Sequence, residues 1–137
     1  MKLVRTILLT MAAAAALALS ACSGPATPTP PAVNPDAEKY AALVGDAAKG
    51  STAFNQSCTA CHGPDGTGVE GLGKDLVASE FAIGMPDAEL ILFLTRGRPT
   101  SDPLNTTGID MPSKGGNPAL DEQDLADIVA YLRTLEK

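Results

Sequence analysis

Apolar positions are spread unevenly along the chain. One block runs from Ile7 to Leu19, interrupted only by Thr10, and it follows two cations, Lys2 and Arg5. Crossing a bilayer takes roughly 20 apolar residues, and this block is shorter and ends in small residues. The layout is that of an export signal covering residues 1–21, not of a membrane span. Polar, proline-rich sequence follows. Ser23 to Pro35 holds five prolines, which neither a helix nor a sheet centre accepts. In polyproline II geometry, at about 3.1 Å per residue, such a segment reaches roughly 40 Å.

Further on the pattern becomes helical. Asp46 to Ser57 reads as a helix. Asp87 to Arg96 places Leu90, Ile91 and Leu94 at helical spacing, behind Pro86 and with Asp87 and Glu89 in the first turn. The last helix is the clearest: Leu125, Ile128, Val129, Leu132 and Leu135 recur at three and four residues and form one stripe. Asp121 is a natural N-cap, Glu122 and Asp124 occupy the first turn, and Arg133 and Lys137 lie near the end, as the helix dipole favours. Between these helices, Arg96 to Pro118 is a long irregular stretch with four prolines and four glycines, which needs a specific reason to be ordered.

Composition narrows the chemistry. The 137 residues contain one His, three Cys, no Trp, two Tyr and three Phe, enough for one compact domain with few aromatics to fill it. Catalysis needing two histidines is excluded. Leu19-Ser20-Ala21-Cys22 resembles the lipobox of bacterial lipoproteins, in which the Cys becomes the first mature residue and carries lipid. That resemblance makes Cys22 a membrane anchor and residues 22–44 a tether. Two or three acyl chains anchor stably where one does not. The alternative, ordinary cleavage nearby, leaves Cys22 as a free thiol in an exported protein, which is a liability.

Cys58-Thr59-Ala60-Cys61-His62 carries the chemistry. Cys-X-X-Cys-His is the c-type haem attachment sequence: both thiols add across the vinyl groups of one haem, and the adjacent His is held beneath the iron as an axial ligand. Three rivals fit less well. A zinc site wants four Cys or His ligands, and the mature chain has no other His and only Cys22 besides. A thioredoxin-like pair wants a strand before the motif and a helix after it, whereas a helix precedes and glycines follow. A structural disulfide leaves His62 unexplained. Without a second His, the sixth iron ligand falls to methionine, and Met85 and Met111 are the candidates. Met111, inside the irregular stretch, is favoured; Met85 introduces a helix and suits a buried position.

With these residues in place, the chain resembles the class I monohaem cytochromes c over about residues 45 to 136. The resemblance implies an all-α cytochrome c fold over residues 45–137, three to five helices around one covalently bound haem, with long irregular loops. It implies that Gly50 and Phe54 meet Ile128 and Tyr131 of the last helix at a close crossing. The run from Gly63 to Gly73 is similar to the family's glycine-rich segment beside the haem. Gly73-Lys74-Asp75-Leu76 departs from the usual Gly-Pro-X-Leu, whose proline carbonyl commonly accepts the proton of the axial imidazole; Lys74 supplies a carbonyl at that position. Phe93 is a candidate to shield the haem and Arg98 to pair a propionate.

A haem held by His62 and Met111 has no open coordination position, so the expected function is one-electron transfer. Once Lys2 and Arg5 leave with the signal, 8 basic residues face 16 acidic ones, a net charge of −8 that argues against nucleic acid and for basic docking surfaces. The resemblance leaves two roles open. One is a tethered shuttle between a quinol-oxidising complex and a terminal oxidase or photosynthetic reaction centre, at the outer face of the cytoplasmic membrane or in the periplasm. The other is a fixed subunit of a larger assembly, such as the monohaem lipoprotein cytochrome of alternative complex III. A gas-binding or peroxidase-like haem protein would require a weak or missing methionine bond.

Overall fold

The structure, a computed structural model, describes residues 34–137. The expected export signal, Cys22 and residues 22–33 of the expected tether lie outside the described residues. Five α-helices follow in order: α1 (Ala47–Ser57), α2 (Thr59–His62), α3 (Glu80–Gly84), α4 (Asp87–Arg96) and α5 (Glu122–Leu135). Two 3-10 turns, Glu38–Tyr40 and Ser113–Gly116, lie in the connecting chain. Among the described residues there is no strand, only two isolated antiparallel bridges, Val69 with Gly73 and Arg98 with Met111. No helix among them is long and apolar enough to cross a membrane.

Local chemistry sets the helix ends. The Asp46 carboxylate accepts from the N–H groups of Ala48 and Lys49 and so starts α1. Asp121 and Asp124 form a reciprocal capping box at the start of α5, satisfying two otherwise orphaned donors. Pro86 is the N-cap of α4, and Gly97, at φ 71°, ends that helix. Four of the five stripe residues of α5, Leu125, Ile128, Val129 and Leu132, are buried; Leu135, the last residue of the helix, is half-buried.

The crossing of α1 and α5 holds the fold together. A Cβ on Gly50 would lie 1.8 Å from the Asp127 carbonyl oxygen, so only glycine permits this approach. One turn on, the Phe54 and Tyr131 rings sit 5.5 Å apart between centroids, at 58°. Burying Asp127 beside this crossing is tolerable because its carboxylate accepts from Asp46 N–H at 2.8 Å and from Gln123 Nε2 at 2.9 Å. Gln123 also donates to the Val44 carbonyl. The approach of residues 50 and 54 to residues 128 and 131 is the one the family resemblance implies.

One boundary differs from expectation. Residues 22–44 read as tether, yet Ala37 and Tyr40 are fully buried and join the core, so the packed unit begins ahead of residue 45. The physical reason is a short apolar arm fixed by polar contacts at its rim: Asp36 pairs with Arg96, and Lys39 pairs with Glu122 at 3.0 Å. Proline density hides this arm in the sequence, because the apolar pair follows directly on the proline-rich segment.

Candidate functional site

The motif sits on the α1–α2 corner. Cys58 ends α1, and its carbonyl accepts from His62 N–H at 2.9 Å, so Cys58, Cys61 and His62 occupy one face of a single helical turn. Gly63, at φ 73°, stops the turn. The glycine-rich run then folds back on the motif: Gly68 N–H donates to the His62 carbonyl and Val69 N–H to that of Cys61. This return brings the Lys74 carbonyl to 2.8 Å from His62 Nδ1. With the proton on Nδ1 for that bond, Nε2 keeps its lone pair. The departure at Lys74 therefore leaves the bond in place, because its acceptor belongs to the main chain.

These three side chains line a cavity of about 500 Å³, within the roughly 300–1,000 Å³ common for cofactor pockets. Its other walls are mostly apolar, with Leu90, Phe93 and Leu94 from α4 and Ile128 and Leu132 from α5. Met111 lines the same cavity; Met85 does not, and packs half-buried against the core. Cys58 and Cys61 are not joined as a disulfide. Burial, with a smaller contribution from the neighbouring Cys61, pushes the Cys58 thiol up to about 11. Among the described residues no group of three His, Cys, Asp or Glu side chains is placed to hold a metal ion by itself.

The irregular stretch is ordered by its own polar contacts. Met111 and Arg98 exchange two backbone hydrogen bonds, 2.7 and 2.8 Å, and Gly97 fits beneath the Met111 carbonyl where a Cβ would lie 2.3 Å away. Asn105 ties the loop together: its Nδ2 donates to the carbonyls of Pro99 and Ile109, and its Oδ1 accepts from the N–H groups of Thr107 and Gly108. Arg98 pairs with Asp102 at 3.2 Å and lies over the rings of Phe81 and Phe93, 4.5 and 4.8 Å from their centroids. Those rings meet nearly edge to face. Phe93 and Arg98 were legible as candidates from sequence; Phe81 and Asn105 were not. Ser79, the cap that starts α3, was the available signal for Phe81.

A helical shell around one apolar cavity, with two thiols and an imidazole on a single turn of its wall, defines a small all-α protein built to hold a covalently attached prosthetic group. Comparison with known proteins specifies the group. The profile of the cytochrome c family matches residues 47–136, and the chain belongs to that family. It is also similar to a protein named cytochrome c-555 from Prosthecochloris aestuarii, 28% identical over 97 residues, covering 71% of this chain and 90% of the relative. No solved structure gives a significant match. The protein is a class I monohaem cytochrome c: it carries covalent haem c and transfers electrons. The residues present fit that group, with apolar walls for the ring, thiols three positions apart on one helical turn and an imidazole already held by a carbonyl.

Proposed function

We propose that the chain is a one-electron carrier whose haem is attached through Cys58 and Cys61 and whose iron is bound by His62 and Met111, working outside the cytoplasmic membrane on a lipid anchor at Cys22. The observation that carries this assignment is the sharing of one apolar cavity by His62, with Nδ1 engaged, and Met111, bridged to Arg98. The haem supplies a one-electron couple between ferrous and ferric iron. His62 presents Nε2 while Lys74 holds the opposite ring nitrogen, which fixes the plane of the imidazole. Met111, a neutral soft donor, favours the ferrous state and raises the potential relative to a second histidine. The apolar walls keep water away, which limits reorganisation when charge changes.

Membrane attachment rests on the lipobox resemblance, and redox partners on family membership together with an acidic chain. A quinol-oxidising complex as donor, and an oxidase or reaction centre as acceptor, match a tethered carrier. A c-type pyridine haemochrome spectrum of the denatured protein tests the attachment. Met111→Ala is expected to lower the potential and to open the iron to carbon monoxide, while Met85→Ala leaves both unchanged. Rapid, complete carbon monoxide binding by the unaltered reduced protein would overturn Met111 as a firmly bound sixth ligand. Cys22→Ser is expected to move the protein from the membrane fraction to the soluble one.

A further inference from the structure

The arm ahead of α1 and the loop that carries Met111 meet at one residue, Thr95, at the C-terminal end of α4. The Thr95 hydroxyl donates its proton to the Ile91 carbonyl at 2.9 Å, so Tyr40 OH is the donor in its 3.3 Å contact with Thr95 Oγ1. The Thr95 carbonyl accepts from Ser113 Oγ at 2.6 Å. Ser113 lies two residues beyond Met111, and Met111 itself is bridged to Arg98, three residues beyond Thr95. The last turn of α4 thus contacts both the methionine loop and the arm. Tyr40 is 1% exposed and Ala37 0%, and the Asp36–Arg96 pair fastens the arm to the same turn.

We propose that Tyr40 is a positioning residue for the iron's methionine ligand: through Thr95 and Ser113, the arm on the anchor side of the domain sets how firmly Met111 is presented to the cavity. This rests on Met111 being the sixth ligand, as assigned above. The arm carries no group that reaches the cavity, so its effect on the site passes through the end of α4. Tyr40→Phe removes the hydroxyl and keeps the ring, preserving the packing that buries it. Ser113→Ala removes the contact on the loop side.

The test uses the ferric holoprotein at fixed pH and ionic strength, with imidazole as the probe that competes with methionine for iron. One intramolecular hydrogen bond has a net worth that corresponds to about a twofold to tenfold change in an equilibrium. Weakening the methionine-bound state by that factor tightens apparent imidazole binding equally, since only the methionine-free population accepts the probe. Tyr40→Phe and Ser113→Ala are each expected to bind imidazole about twofold to tenfold more tightly than the unaltered protein. Because both act through Thr95, the double variant is expected to fall short of the product of the two effects. A Tyr40→Phe protein with a lower melting temperature and unchanged imidazole affinity would show that the hydroxyl only supports the fold, and would overturn the proposal. So would a double variant that reaches the full product. Met111→Ala separates the two levels. It should bind imidazole much more tightly, and adding Tyr40→Phe to it should change nothing further. If Met111→Ala leaves imidazole affinity untouched, the ligand assignment fails and this proposal with it. If it raises affinity and Tyr40→Phe alone is silent, this proposal alone fails.

Discussion

Single residues decide this molecule where backbone meets backbone. Gly50 is the sharpest case, since an added methyl would meet the carbonyl of Asp127 in α5, which no rotamer change relieves. Gly50→Ala is expected to cost about 3 kcal/mol, the upper end of overpacking effects, and to lower the holoprotein melting temperature by more than about 10 °C in a domain of this size. A thermal melt followed by circular dichroism checks it. The chemistry at this scale was legible in the sequence because it is local: Cys58, Cys61 and His62 are constrained by spacing on one turn. Asp127 was not legible. Its burial depends on Asp46 and Gln123 arriving with donors, and nothing in a helical run of acids shows which one turns inward. The placement of Arg98 over Phe81 and Phe93 is of the same kind, made by three segments that meet only in the folded chain.

At the level of elements, long periodic helices could be read and short ones could not. The predicted bounds Asp46–Ser57 and Asp87–Arg96 agree with α1 and α4 to within a residue, because each has a cap and an apolar face. By contrast, α3 has five residues and owes its place to tertiary contacts. Chief among these is Arg133 on α5, which donates to the carbonyls of Ala82 and Met85 and pairs with Asp87 at 2.8 Å. Burial works against its charge, but the bonds to Glu136 and Asp87 outweigh that and raise its pKa. From sequence, Arg133 suited the helix dipole; in the fold it also clasps the α3–α4 junction. Arg133→Met, which keeps the apolar stem, is expected to lose about 2 kcal/mol, read as a lower urea midpoint at unchanged slope. The arm at residues 37–40 escaped the sequence reading for a related reason: its two buried side chains are too few to form a period.

For the whole molecule, charge and cavity act together. The chain is acidic, with a formal net charge of −6, yet Lys74, Arg98 and Lys114 all line the cavity that takes the haem. Electron exchange with a basic partner protein is expected to slow steeply as ionic strength rises from about 10 to about 150 mM, as the Debye length shrinks from roughly 30 to 8 Å. Stopped-flow rates across that range provide the check, and a flat response would count against electrostatic docking. Lys74 stands at the junction of two properties. Its carbonyl serves His62, while its side chain is exposed. Lys74→Gln is expected to change the salt slope and to leave the Nδ1–H resonance of His62 in place. Because the imidazole is held by a main-chain atom, the side chain at position 74 can change while His62 keeps its support. Surface charge at this position and the orientation of the imidazole can then drift independently in evolution, so a new charge pattern on this face leaves the ring where it is.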